Sequence, residues 1–168
     1  MILAIYNTAK ALWSRANDWI KAPEPRATVP AFDTPEQAAA YMAQHIPYTG
    51  DPAGGAADFY LHPERLQAAI ERGYVKTLAI DCDDFASWAY LATRDTGSRV
   101  LFTLRDGDGW GHHVICVGRD RLGPWAIDTS GYRRLPDQSQ GTILRVFNEV
   151  FAGSGVRFVE AVSTSYPF

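Results

Sequence analysis

The order of patterns along the chain predicts an α+β fold. Helical spacing dominates the first half, short apolar strand-like runs cluster in the second, and hairpin-length connections join those runs. Strands joined so closely run antiparallel, because a parallel pair needs a crossover of a dozen residues or more.

Taken in order, Ile2, Leu3, Ile5, Tyr6, Ala9, Leu12, Trp13, Ala16, Trp19 and Ile20 recur every three or four residues, the stripe of an amphipathic helix. Lys21 to Pro30 then carries three prolines and can sustain neither helix nor central strand. The chain therefore divides into residues 1–30, an N-terminal helix with a proline-rich linker that is a candidate docking peptide, and residues 31–168, the main domain. A helix is expected from Asp33 or Thr34 to about His45, since Pro35 suits a first turn and Thr34 with Gln37 has capping-box spacing. The glycine-rich stretch Tyr48 to Phe59 reads as a loop. A second helix follows Pro63 and stops at Gly73.

Asp81-Cys82-Asp83-Asp84 stands ahead of the apolar helical stretch Phe85 to Ala92, which sets Cys82 at or beside a helix N-terminus. Val100–Leu104 and Val114–Val117 read as strands around the turn Gly107 to Gly111, and Trp125–Asp128 as a third strand. Residues 131 to 138 read as a loop, Ile143 to Phe151 as a helix and Val156 to Val162 as the last strand.

Composition narrows the function. The 168 residues carry 16 Lys and Arg against 19 Asp and Glu, a formal charge of -3 without a basic run, so nucleic acid is not an expected partner. Two cysteines are too few for a disulfide framework and read as reduced thiols. Met1 to Leu12 lacks the basic start and long apolar core of a secretion signal, and no apolar run is long enough to span a membrane. The expectation is a soluble cytoplasmic protein with no membrane partner and no cofactor.

The centre of the chain carries the chemistry. A thiol is nucleophilic as thiolate, and a helix N-terminus favours that form. Asp81, Asp83 and Asp84 oppose it, so activation of Cys82 calls for an imidazole. His112 and His113 open the second strand and Asp128 ends the third, so that an antiparallel pair brings a histidine to the carboxylate that would orient it. Successive strand residues face opposite sides, so only one of the two histidines can act, and spacing leaves the choice open. Asp84 is a candidate support for the helix start, Cys116 a core residue, and His45 and His62 surface or capping groups. No metal site is expected: His112 and Cys116 share a strand face but stand about 13 Å apart at about 3.3 Å per residue.

These residues resemble the transglutaminase-like and papain-like cysteine peptidases of bacteria and phages. Asp81-Cys82-Asp83-Asp84-Phe85-Ala86 is similar to the Gly/Asp-Cys-x-Asp-x-Ala box, and His112-His113-Val114-Ile115-Cys116-Val117-Gly118 to the family's histidine block. Trp125-Ala126-Ile127-Asp128-Thr129 resembles the strand bearing the third residue. The papain-like block aligns His112 with the family histidine, whereas the transglutaminase-like pattern aligns His113. The resemblance covers about residues 74 to 131. It implies a catalytic cysteine on a helix packed against a small antiparallel sheet, and a Cys-His-Asp triad cleaving an amide through a thioester. The substrate would be a peptide or protein, with hydrolysis favoured over transfer to an amine. A catalytically silent assembly module and a cell-wall peptide hydrolase are the rival expectations. For the oxyanion, the Cys82 N–H is one candidate donor; the family's upstream Gln is missing, leaving Tyr74 or Trp110 as the second.

Overall fold

A computed structural model describes residues 26–49, 61–107 and 112–164. The N-terminal helix expected over Ile2–Ile20, most of the loop from Tyr48 to Phe59 and the tip of the turn after Gly107 lie outside the described residues.

The fold is α+β. Helices α1 (Pro35–His45), α2 (Pro63–Arg72) and α3 (Cys82–Ala92) precede strands β1 (Ser98–Asp106), β2 (His112–Asp120), β3 (Gly123–Asp128) and β4 (Gly131–Arg134). Helix α4 (Gln140–Val150) and strand β5 (Phe158–Thr164) complete the chain's described elements. The strands form one antiparallel sheet in the order β4-β3-β2-β1-β5.

Local chemistry accounts for the helix ends. Thr34 and Gln37 make the reciprocal capping box at the start of α1. His62 caps α2 by accepting from the Glu64 N–H, and Gly73 closes it in the left-handed region at φ 77°. A single 3-10 turn, Val75–Thr77, leads toward α3.

Strand alternation distributes the core over both faces of the sheet. Leu101, Cys116, Trp125 and Ile127 face α1, α2 and α3, where Trp88 is fully buried. Phe102, Leu104, Ile115, Val117 and Ala126 face α4, which contributes Ile143 and Phe147. Part of the proline-rich stretch belongs to the first of these layers. Val29 is buried there, its carbonyl accepts from Arg94 at 2.8 Å, and Ala27 donates to the Glu64 carbonyl at 2.9 Å.

One expectation is corrected. Residues 131–134, read from the sequence as loop, form edge strand β4, paired with β3 from Trp125↔Arg134 to Asp128↔Gly131. Gly-Tyr-Arg-Arg has no apolar alternation to announce a strand. Gly131, at φ 109°, lets the chain reverse tightly enough for the pairing.

Candidate active site

Cys82 is the first residue of α3. Asp81 precedes it as the cap, accepting from the Asp83 N–H at 3.2 Å, while Asp84 accepts from the Asp81 N–H at 3.2 Å. The other Asp84 oxygen accepts from the Leu61 N–H at 2.7 Å, tying the helix start to the segment before α2. Asp84 is almost fully buried, and burial with the neighbouring Asp83 and Asp81 carboxylates raises it well above the usual carboxylate range.

The Cys82 thiol is only partly exposed. Burial raises its pKa, the Asp81 and Asp83 carboxylates raise it further, and the backbone N–H groups of Val114 and of Cys82 itself pull the other way. Burial wins, so at rest the group is a neutral thiol. The helix N-terminus alone does not make this cysteine a thiolate.

The other half of the candidate site lies on the α4 face. His113 is 7% exposed, and its Nε2 lies 2.8 Å from Asp128 Oδ2. Burial pushes the Asp128 carboxyl up, but the hydrogen bonds from His113 and Ser130 and the nearby Arg133 charge outweigh it and hold the group below its usual range. An ionised carboxylate only accepts, so His113 Nε2 donates to it, and in a neutral imidazole Nδ1 is then the acceptor nitrogen. The second carboxylate oxygen accepts from the Ser130 N–H at 3.1 Å, the Ser130 hydroxyl at 2.6 Å and Arg133 Nη2 at 2.9 Å. Arg133 Nη2 also bonds the Ser130 hydroxyl. Around the ring stand Phe151, edge-on at 4.9 Å between centroids, and Phe158, near-parallel at 6.1 Å.

Register explains why His113 and not its neighbour meets Asp128. Strands β2 and β3 pair from Asp120↔Gly123 to Cys116↔Ile127, and continuing that register sets Asp128 opposite Ile115. His113 is then the diagonal neighbour on the same face, about 7–8 Å away in backbone terms and within reach of both side chains. His112 has the opposite parity, at the strand position opposite Arg105.

Val114 packs on the α3 face and His113 among the aromatics of the α4 face, so the two halves stand on opposite sides of β2. Strand β2 pairs with β1 from His112 to Arg119 but with β3 only from Cys116 to Asp120, so its first residues extend past the end of β3. There the thiol of Cys82 meets the N–H of Val114, the residue after His113. No hydrogen bond joins Cys82 directly to His113 among the described residues.

The remaining candidates lie elsewhere. Cys116 is fully buried under α3, its thiol pushed up to about 12 by burial. His45 is exposed and its ring lies tilted against Tyr41, 4.3 Å between centroids. The Tyr74 ring is half-buried against the α3 core, and Trp110 lies outside the described residues. Ligand atoms of Asp81, Cys82 and Asp83 fall within 4.8 Å of one another, a crowding that the capping of α3 explains. Among the described residues no helix is long and apolar enough to cross a membrane.

Sequence reasoning missed Ser130, Arg133, Phe151 and Phe158. Only Ser130, two residues after an aspartate, carried a local signal, as the donor of an Asx turn. Comparisons with protein-family models, curated proteins and solved structures found no match.

Proposed function

We propose that this protein is a cysteine-dependent amide hydrolase of transglutaminase-like or papain-like type, with Cys82 as nucleophile, His113 as general base and acid, and Asp128 as the residue orienting the imidazole. The observation that carries this reading is the buried His113–Asp128 bond of 2.8 Å, made from the same strand whose Val114 N–H pulls the Cys82 thiol down.

Because the resting thiol is neutral, the reaction runs by general-base attack rather than from a preformed ion pair. Cys82 Sγ forms a bond to the amide carbonyl carbon as His113 Nδ1 accepts the S–H proton, and the carbonyl π electrons move onto oxygen. The Cys82 backbone N–H at the helix start is the nearest donor for that oxyanion. Collapse breaks the C–N bond, the His113 proton passes to the leaving amine, and a thioester remains. Water then attacks the thioester while His113 takes its proton, and the C–S bond breaks to release acid and free thiol. Asp128 stabilises the imidazolium at each turn. The substrate class is a peptide or isopeptide bond in a peptide or protein.

The test uses 4-nitrophenyl acetate with the whole protein. Acetylation of Cys82, located by peptide mass mapping and absent in Cys82→Ser, supports the reading. Acetylation no faster than that of the unfolded chain sinks it. A second reading is favoured by one observation: the thiol is held neutral by burial and flanking acids and is not hydrogen-bonded to His113. On that reading the fold serves as a catalytically silent binding or assembly module. Absent acetylation, with retained self-association or partner binding that is lost on deleting residues 1–30, would favour it.

A further inference from the structure

Asp128 is shared between an imidazole and a guanidinium. His113 Nε2 takes one carboxylate oxygen at 2.8 Å and Arg133 Nη2 the other at 2.9 Å. The guanidinium is itself held in place, its carbon 4.9 Å from the centre of the Phe147 ring, and it belongs to strand β4, whose pairing with β3 fixes it beside Asp128. A buried carboxylate bonded to an imidazole alone would hold the ring strongly as imidazolium, and an imidazolium cannot accept the Cys82 proton. A carboxylate whose charge is divided orients the ring while binding its protonated form less tightly.

We infer that Arg133 is a positioning residue that draws off part of the Asp128 charge and so sets the pH at which His113 can work as a base. This inference rests on the proposed amide-hydrolase chemistry. From β3 the ring meets Asp128, whose other oxygen holds Arg133 of β4. Helix α4 and the residue after it bring Phe147 and Phe151 to the ring, β5 brings Phe158, and β1 its strand partner Leu104, with Asp106 two residues further along β1 opposite Phe158.

The experiment is the pH dependence of Cys82 acetylation by 4-nitrophenyl acetate in the full chain, comparing wild type, Arg133→Lys and Arg133→Gln. Removing the cation strengthens the hold of Asp128 on the imidazolium. The acid limb of the Arg133→Gln profile should therefore move to higher pH by roughly one unit. Arg133→Lys should fall between the two. A purely structural role for Arg133 would lower the rate at every pH without moving the limb, and that result overturns the inference. If Arg133→Gln does not fold, the Lys variant decides alone: a limb coincident with wild type refutes the inference. Failure of wild type to acetylate at Cys82 would instead refute the hydrolase reading, so the two failures are distinguishable.

Discussion

The two faces of the sheet treat their buried aspartates in opposite ways. On the α4 face Asp128 has donors on both oxygens from His113, Ser130 and Arg133, and is held below its usual range although burial pushes it up. On the α3 face Asp84 has only backbone donors, sits with Asp81 and Asp83, and is raised. The base side of the proposed site is thus electrostatically complete before any substrate arrives. The nucleophile side gathers three aspartates around a thiol that burial and those carboxylates push up. The difference teaches that the proposed chemistry has to draw the activation of Cys82 from His113 and not from the cysteine's own helix.

The largest effect that could break this comparison comes from the nucleophile. Cys82→Ser should lower acetylation by at least about a thousandfold, while Cys116→Ala should leave the rate within about twofold. A comparable loss in both would show that the two thiols are not distinct in role.

Asp128→Asn comes next. It preserves shape but removes the negative charge and turns one of the two acceptor oxygens into an NH2 donor, and a loss of about 100- to 10,000-fold is expected in the acetylation rate. Leaving Arg133 without its carboxylate should also cost stability, about 3 kcal/mol or more, read by urea unfolding. An unchanged rate would detach the His113–Asp128 pair from chemistry.

The pH dependence of stability sharpens the contrast between the faces. Asp128 is depressed in the folded state, so its contribution is complete above its unfolded pKa of about 3.9 and is lost as pH falls through the lower folded value. Asp84 is raised, so the folded state binds the extra proton and is relatively stabilised as pH falls from neutrality toward about 3.9. Asp84→Asn should flatten the change in Tm between about pH 7 and about pH 4, whereas Asp128→Asn should flatten it below about pH 4. The same response from both variants would contradict the asymmetry.

The smallest effect concerns the aromatic wall. Phe151→Ala trims a half-buried ring against His113, and a loss of about 1–2 kcal/mol in stability with a severalfold fall in acetylation is expected. Stability lost without any change in rate would make the wall structural only.

Much of this was legible in the residues. The Thr34–Gln37 box, Gly73 and the apolar run after Asp84 marked their helix ends, because capping and helix stops are local chemistry. The antiparallel sheet followed from short connections. The choice between His112 and His113 was not legible, because it depends on the β2–β3 register. The turn there is Arg121-Leu122, which lacks the Asn-Gly or Asp-Gly signature that would have fixed a two-residue hairpin and, by parity, selected His113. Arg133 escaped notice because β4 is a short polar edge strand, and Phe158 because β5 reaches His113 only through its distant pairing with β1.

The central claim, that His113 works across the sheet margin on Cys82, is tested most directly by the acetylation rate of Cys82 in His113→Gln beside His112→Gln, with both variants verified as folded by circular dichroism. The account predicts a loss of at least about 100-fold for His113→Gln and a change within about threefold for His112→Gln. A loss confined to His112→Gln, or no loss in either variant, would contradict it.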